Sequence, residues 1–310
     1  MKQQWVSVVI PSYERELTLV KRAIDSILNQ SHPLVEVVLV DDNPLNSPYC
    51  EPLKAYCGSD ERIKYLRTAG KEGACIARNK GASLAKGEYV GFLDDDDEWL
   101  PQKIELSLPY FQENIVMVGS RGWEVTINNQ GKILQKVEYM GNLFRTEPTF
   151  QSMLRCDTIG TTTLALVHKQ RFLECGGFNS VLPARQDYDC WLRMLKKYRI
   201  LMIKDFLFIH YLHENEQVSK NPQNALLGLQ KVYKDFKQDF DADKQGYAYI
   251  HMLMLKRYQE LGQKRNELLY LLKVLKVQPR YLGRYIIDKT KNKKLKKFLQ
   301  KYQKNSAVIN

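Results

Sequence analysis

Short apolar runs alternate with segments of helical periodicity along the first 120 residues of the chain. The runs are typical of buried strands, and they cover residues 6–10, 35–40, 63–66, 89–93 and 116–119. Between them, apolar residues recur three and four positions apart, as on one face of a helix, most clearly over 17–28. Strands that alternate with helices predict right-handed crossovers and therefore an α/β fold with a mainly parallel sheet flanked by helices.

The pattern changes after Ser120. The later elements that it predicts are a hairpin formed by 122–127 and 132–139 around Asn128-Asn129-Gln130-Gly131, a strand at 164–167, a Gly-Gly-Phe turn at 176–178, a helix at 189–198 and β structure at 200–211. Beyond about residue 221 only helical patterns follow. We therefore expect an α/β domain over residues 1–220 and a helical C-terminal extension over residues 221–310.

A run of five acids, Asp94 to Glu98, directly follows the apolar run 89–93. Trp99, Leu100 and Pro101 then resume an apolar pattern that opens a helix. Open α/β sheets place their ligands at the carboxyl ends of the strands, and five like charges there repel one another. A divalent cation with oxygen ligands would stabilise them, so the run predicts a metal site that presents a diphosphate.

Two other interpretations of the acidic run are a solvated loop and a calcium loop of the EF-hand type. Asp94, Asp96, Glu98 and Glu105 do fall at positions 1, 3, 5 and 12 of such a loop. However, position 6 is Trp99, where that loop needs glycine, and a strand precedes the acids where it needs a helix. The strand in front and the helix behind also disfavour a merely solvated loop.

Polar residues follow two other predicted strands, as Pro11-Ser12-Tyr13 and Asp41-Asp42. A nucleotide needs an aromatic or backbone cradle and an acceptor for a base N–H, and Tyr13 and Asp42 offer these. The alternative is that such aspartates cap the following helices, which we leave open for Asp41. Arg78, on the helix before the acidic strand, pairs either with a phosphate or with the acids themselves.

Asp187 and Asp189 flank a predicted helix start within Gln186-Asp187-Tyr188-Asp189. Carboxylates are favoured there by the helix dipole, so both can be caps. The other interpretation makes Asp187 a general base beside the nucleotide, with a pKa that nearby acids raise.

Bulk properties narrow the class of protein. The 310 residues carry a formal charge of +12, 44% are hydrophobic, and no apolar run reaches the length of a membrane span. The six cysteines form no CxxC pair and the N-terminus has no signal-peptide pattern, so we expect a reducing cytoplasm. Dinucleotide-binding GxGxxG, P-loop and GxSxG motifs are missing from the expected positions.

Taken together, the motifs resemble glycosyltransferase family 2 with the GT-A fold, from Val6 to about His213. The resemblance is carried by Val-Ile-Pro-Ser-Tyr, Val-Asp-Asp-Asn, Ala-Arg-Asn-Lys-Gly, Gly-Glu-Tyr-Val-Gly-Phe-Leu-Asp-Asp-Asp-Asp-Glu-Trp-Leu-Pro, Gly-Gly-Phe and Gln-Asp-Tyr-Asp-Cys-Trp-Leu-Arg. It implies a nucleotide-binding half at 1–120 and an acceptor-side half at 121–220.

The resemblance also implies functions for single residues. The nucleotide would be bound by Pro11, Ser12, Tyr13, Asp42, Arg78, Asp94 and Asp95. Asp94 and Asp96 would form the DxD pair, with Asp96 the direct ligand of Mn²⁺ or Mg²⁺ and His213 near the metal and diphosphate. Asp187 would be the catalytic base.

Two departures from the family pattern are Glu14, where asparagine is usual, and Gln186, where glutamate usually precedes the base; the second weakens the expected rise in the pKa of Asp187. The QxxRW motif of processive synthases is missing. The resemblance therefore implies an inverting, non-processive enzyme that acts in bacterial surface polysaccharide synthesis. We expect it to move a sugar from a UDP-sugar to a hydroxyl of a glycan or lipid-linked acceptor. The alternatives are a nucleotidyltransferase and an inactive sugar-nucleotide-binding subunit. A nucleotidyltransferase would need a Gly-rich loop after the first strand, which this sequence does not have. The intact Asp94, Asp96 and Asp187 disfavour an inactive subunit.

The C-terminal segment predicts a basic amphipathic helix. Leu295, Phe298, Leu299 and Tyr302 share one face, and eight lysines lie between positions 289 and 304. Such helices lie on anionic membranes, although a solvated helix packed on its neighbours has the same pattern. We expect a peripheral position on the inner face of the cell membrane and no nucleic-acid partner, since no recognition motif is present; a homo-oligomer is left open.

Overall fold

The computed structural model describes residues 4–128, 130–213 and 221–279. They divide into two compact units, one of residues up to 153 together with 157–221, and one of residues 154–156 together with those from 222 onward. The predicted basic helix at 289–304 lies outside the described residues.

The described residues of the first unit form nine strands and seven α-helices. The strands are β1 Val6–Ser12, β2 Val35–Asp41, β3 Ile63–Arg67, β4 Tyr89–Phe92, β5 Glu98–Trp99, β6 Ile115–Ile127, β7 Ile133–Glu138, β8 Leu166–His168 and β9 Arg199–His213. The helices are α1 Leu17–Leu28, α2 Cys50–Cys57, α3 Ala74–Leu84, α4 Lys103–Ser107, α5 Phe150–Arg155 (whose last two residues belong to the second unit), α6 Lys169–Glu174 and α7 Gln186–Leu195.

All the strands belong to one sheet, in the order β3-β2-β1-β4-β8-β6-β9-β5, with β7 paired to β6. The parallel ladders, β1 with β2 and β4, β2 with β3, and β6 with β9, contain most of the paired residues. The strands β5, β7 and β8 run antiparallel to their neighbours. The predicted α/β class with a mainly parallel sheet is therefore confirmed.

The centre of the sheet is apolar on both faces because helices cover it. Every residue of β1 and of β2 is buried, as is typical of parallel strands. Helix α1 buries one stripe, which consists of Val20, Ala23, Ile24 and Ile27. Ser12 pairs with Asp41 and Val9 with Phe92, so the segments that follow these three strands leave the sheet at the same edge.

Two local predictions are corrected. The predicted strands 116–119 and 122–127 are one strand, β6, because polar Ser120 is buried inside it and accepts a hydrogen bond from Lys103 Nζ at 3.0 Å. The helix predicted directly behind the acids is preceded by the short strand β5, which pairs with β9. Its Trp99 is buried with the ring directly against Gly91, where any side chain would collide with it.

The second unit, as far as it is described, is helical. It contains α8 Pro222–Asp235, α9 Lys237–Ala242, α10 Lys244–Glu260 and α11 Lys264–Val277. Asp243 caps α10 by accepting hydrogen bonds from the backbone N–H groups of Gln245 and Gly246. None of the helices in the described ranges combines the length and the hydropathy that a membrane span needs.

Candidate active site

A cavity of about 730 Å³ opens where β1, β2 and β4 end. Of the residues predicted for the site, Pro11, Ser12, Tyr13, Asp42, Arg78, Asp94, Asp95 and Asp96 line it. The topology thus brings together polar residues that lie more than 80 positions apart in the chain, because the parallel strands that precede them end at one edge of the sheet.

Asp42, which lines the cavity, is held rigidly between β2 and the start of α3. Its carboxylate accepts hydrogen bonds from the backbone N–H groups of Glu72 at 3.0 Å and Gly73 at 2.8 Å, and from the Thr68 hydroxyl. Tyr13, another lining residue, is 39% exposed, so its ring offers a stacking surface. The lining therefore includes an aromatic face and a fixed hydrogen-bond acceptor, the two features that binding of a nucleobase needs.

Asp41 does not line the cavity. It is fully buried, and it accepts hydrogen bonds from the Asn43 backbone N–H at 2.9 Å, from the Tyr65 hydroxyl at 2.5 Å and from Arg67 at 3.0 Å. The first aspartate of the pair therefore anchors the turn after β2, and the second lines the cavity.

Two arginines that line the cavity compensate the first three acids of the run. Arg78 contacts Asp94, while Arg15 contacts Asp95 through Nε and Asp96 through Nη2, both at 3.0 Å. Burial alone would raise the pKa of Asp94, but the Arg78 guanidinium outweighs it and the pKa lies below its ordinary value. Of the two interpretations of Arg78, the structure shows the pairing with an acid.

The next two acids are less well compensated. Burial raises the pKa of Asp95 to about 6, against the opposing effect of Arg15. Burial and the neighbouring carboxylates of Asp97 and Asp95 raise the pKa of Asp96 to about 7. A cation bound beside Asp96 would relieve this repulsion.

Asp97, the fourth acid of the run, points away from the cavity and ties the acidic loop to the sheet. Its buried carboxylate accepts hydrogen bonds from the Thr163 hydroxyl at 2.5 Å and the Tyr211 backbone N–H at 2.9 Å, and lies 3.0 Å from His210 Nδ1. Burial would lower the pKa of His210, but Asp97 outweighs it and raises that pKa to about 9. An imidazolium therefore lines the cavity beside the acids.

Asp187 lies in the first turn of α7 and is not among the residues that line the cavity. Its Oδ1 accepts a hydrogen bond from the Tyr188 backbone N–H at 2.7 Å. Burial, and then the negative charge of Asp157, raise its pKa to about 6, while Arg185 and Arg78 act in the opposite direction. These charges place Asp187 within electrostatic reach of Arg78, which does line the cavity. Asp189, by contrast, pairs with Arg193.

His213 ends β9 and also lies outside the lining of the cavity. Its Nε2 is 3.8 Å from Asp96 Oδ2, which places it behind the acid predicted to bind the metal. Within the described parts of the chain, no three His, Cys, Asp or Glu side chains converge closely enough to hold a metal ion by themselves.

Several residues of the cavity are missing from the sequence predictions: Arg15, Lys71, Glu124, His210 and Tyr211. Arg15 could have been predicted from the sequence, since it follows the Pro-Ser-Tyr segment by two positions. No sequence signal pointed to Glu124 or His210, because their strands lie far from the nucleotide motifs in the sequence. These residues reach the cavity through the pairing of β6 with β9 and of β9 with β5.

Comparison with known proteins agrees with this arrangement. Residues 7–167 match the family model described as glycosyl transferase family 2. A putative colanic acid biosynthesis glycosyl transferase WcaA of Escherichia coli is 28% identical over 257 residues, which cover 81% of this chain and 88% of the relative. The putative teichuronic acid biosynthesis glycosyltransferase TuaG of Bacillus subtilis is 29% identical over 234 residues, covering 75% and 88%.

Solved structures share the fold at lower identity. The mannosyltransferase PcManGT from Pyrobaculum calidifontis, in complex with GDP-Man and Mn²⁺, superposes with a TM-score of 0.63 at 16% identity, covering 99% of this chain and 86% of that one. S. aureus TarS 1-349 in complex with UDP-GlcNAc gives 0.60 at 17% identity, covering 90% and 83%. The fold is that of the GT-A glycosyltransferases, and the chain belongs to glycosyl transferase family 2.

Proposed function

We propose that this glycosyltransferase is an inverting, metal-dependent enzyme that moves one sugar at a time from a UDP-sugar to a hydroxyl of a glycan or lipid-linked acceptor in bacterial surface polysaccharide synthesis. The observation that carries the proposal is the cavity, whose lining contains Tyr13 and Asp42 together with Asp94 and Asp96. The first pair would bind a nucleoside and the second pair a diphosphate.

The donor and acceptor classes are supported by relatives. A UDP-Glc:alpha-D-GlcNAc-diphosphoundecaprenol beta-1,3-glucosyltransferase, WfgD of Escherichia coli, is 29% identical over 241 residues, covering 76% of this chain and 88% of the relative. The name of this relative combines a UDP-sugar donor with a lipid-linked acceptor. The TarS complex with UDP-GlcNAc is a second case of a UDP-sugar on this fold.

The proposed reaction is a direct displacement at the sugar C1. The acceptor hydroxyl gives its proton to the Asp187 carboxylate, and its oxygen forms a bond to C1 while the bond from C1 to the diphosphate oxygen breaks. A moderately raised pKa suits a general base, because the carboxylate is still ionised near neutral pH and binds a proton more strongly than an ordinary aspartate does. The His210 imidazolium and the guanidinium of Arg15 would oppose the negative charge of the departing diphosphate.

The residues of the acidic loop fit a divalent cation. Asp94 and Asp96 are oxygen donors at the cavity, and the raised pKa of Asp96 shows that its negative charge is undercompensated. We propose that Asp96, supported by Asp94 and with His213 behind it, holds Mn²⁺ or Mg²⁺, and that the diphosphate and water complete the coordination. Such a cation would act as a Lewis acid on the leaving group.

We further propose that the protein works at the inner surface of the cell membrane, held there by the basic segment 284–310. Each lysine near an anionic surface contributes roughly 1 kcal/mol, and a lipid-linked acceptor would require this location. Deletion of residues 284–310 should weaken binding to vesicles that contain phosphatidylglycerol, and high salt should release the protein. Full-length protein that stays unbound at low salt would reject this location.

The decisive experiment is a panel of nucleoside diphosphates and UDP- and GDP-sugars, tested by thermal shift and by donor hydrolysis with manganese, with magnesium and with chelator. We expect UDP and one UDP-sugar to stabilise the protein in the presence of metal, and that UDP-sugar to be hydrolysed slowly. Binding without hydrolysis, and without transfer to any acceptor, would favour the inactive sugar-nucleotide-binding subunit.

A further inference from the structure

Helix α11 carries leucines on the side that faces away from its own unit. Glu267, Leu271 and Val274 form its buried face. Leu268 and Leu272 are 58% and 56% exposed, Leu269 is 48% exposed, and Leu275 is half-buried. Since Leu268, Leu272 and Leu275 follow at i, i+4 and i+7, they form a continuous stripe on one face. We call this set, with Leu269, the leucine face.

The exposed charged side chains that α11 itself contributes beside the leucine face are basic. Arg265 lies one turn before Leu268, and Lys276 lies one turn after Leu272; both side chains are exposed. The one acid of α11, Glu267, is 4% exposed and is paired with Lys264 at 3.3 Å. An exposed apolar stripe of this kind marks an interaction surface, and its basic flanks call for an anionic partner.

We propose that the leucine face is a lipid-binding surface, on which α11 lies in the plane of an anionic bilayer. In this arrangement the leucines enter the boundary between headgroups and acyl chains, and Arg265 and Lys276 reach the phosphates, as in other interfacial helices. The inference concerns described residues outside the segment 284–310 and does not depend on the reaction at the cavity.

Charge decides between the bilayer and the other possible occupants. Two copies joined through this face would bring Arg265 and Lys276 against the same residues of the second copy, which is a repulsive arrangement. The lysines at 289–304 of the same chain carry the same sign of charge and would be repelled as well. An anionic bilayer satisfies both the apolar stripe and the basic flanks.

Vesicle flotation of the full chain tests the proposal. We expect the Leu268→Ser/Leu272→Ser variant to partition about tenfold less onto vesicles of phosphatidylcholine with phosphatidylglycerol, because apolar area that the bilayer covers is lost. Leu227→Ser, at a leucine of α8 that is 44% exposed, is the matched control and should partition as the wild type does. Donor hydrolysis should be equal in all three proteins.

A second measurement tests the proposal even if the double serine variant folds poorly. The Leu272→Trp variant adds one tryptophan to the fluorescence of the wild type. This added emission should shift to shorter wavelength on these vesicles and be quenched by brominated phosphatidylcholine, whereas the emission added by Leu227→Trp should not change. The inference is overturned if the double serine variant floats as the wild type does. If that variant also converts a dimer into a monomer, the leucine face is a contact between two copies of the chain. The inference is also overturned if only deletion of 284–310 removes binding, a result that would leave the proposed function of the tail intact.

Discussion

Arg15 reaches the acid that we assign to the metal: its Nη2 lies 3.0 Å from Asp96 Oδ2 while its Nε contacts Asp95. One guanidinium therefore compensates two neighbouring carboxylates at the mouth of the cavity. The compensation is incomplete, because burial and the adjacent acids still hold the pKa of Asp96 at about 7. This shortfall of positive charge is the physical reason to expect that a cation binds here.

The first prediction is that Asp96→Asn removes the metal dependence of UDP binding. In the wild type, manganese or magnesium should tighten UDP binding about tenfold or more, since a cation held by Asp96 would attract the negatively charged diphosphate. Calorimetry with and without metal measures this gain. Asp205→Asn, at an exposed position of β9, is the control and should keep it. Metal-independent UDP binding by the wild type would refute the assignment of Asp96.

The second prediction separates catalysis by Asp187 from binding. Asp187→Asn should leave donor affinity within a few fold, because the residue does not line the cavity. Transfer to a true acceptor should fall by about 10²–10⁴, the usual contribution of a general base. Steady-state kinetics with donor binding measured in parallel provides the test. Near-normal turnover in this variant would make Asp187 a helix cap and place the base elsewhere.

The third prediction concerns the pH profile of kcat/KM. A base works when ionised, so activity should rise with pH through about 6, the raised pKa of Asp187. The charge of Asp157 helps to raise this pKa and that of Arg185 lowers it. Asp157→Asn should therefore move the acidic limb to lower pH, and Arg185→Gln should move it to higher pH. If both variants move the limb in the same direction, the limb belongs to another group.

The sequence predicts one group of cavity residues well because these residues follow strand ends. Asp94 directly follows an apolar run, Asp42 follows another with Asp41 between, and parallel pairing with β1 brings the two strand ends together. The period of the apolar residues therefore indicates both the element and the edge at which the polar residues gather.

Other cavity residues depend on pairings that leave no local pattern. His210 is one of many residues in a 15-residue strand, and the pairing of β9 with β5 and the contact with Asp97 set it beside the acids. The acidic run itself gave no means of telling Asp97, which is buried and structural, from Asp96, which faces the cavity. The difference arises in the turn after β4, where burial alternates along the run: Asp95 and Asp97 are buried, whereas Asp94 and Asp96 are partly exposed.

The fourth prediction is that Asp97 contributes to stability. Asp97→Ala should lower the free energy of unfolding by about 3 kcal/mol, because it leaves the Thr163 hydroxyl, the Tyr211 N–H and the charged His210 without their shared acceptor. Urea denaturation measures the change, and Asp205→Ala should stay within about 0.5 kcal/mol of the wild type. A loss as small as that of the control would show that the loop is held by other contacts.

The last prediction concerns Lys103, which is fully buried. Its Nζ donates hydrogen bonds to the Leu164 carbonyl at 2.9 Å and to the Ser120 hydroxyl at 3.0 Å, and it lies 4.8 Å from the centre of the Trp99 ring. Burial lowers its pKa to about 7, against about 10.4 for a lysine in an unfolded chain. Between these two pH values the unfolded chain binds a proton that the folded chain has released, so the stability contributed by this site rises with pH.

We therefore expect the wild type to gain stability relative to Lys103→Met as the pH rises from about 6 to about 9. Urea denaturation of both proteins at several pH values isolates this site, because other titrating groups cancel in the difference. Lys204→Met, at an exposed position of β9, controls for the loss of one lysine charge. A difference that stays flat with pH would mean that Lys103 remains charged in the folded protein, stabilised by its two oxygen acceptors and by the face of Trp99.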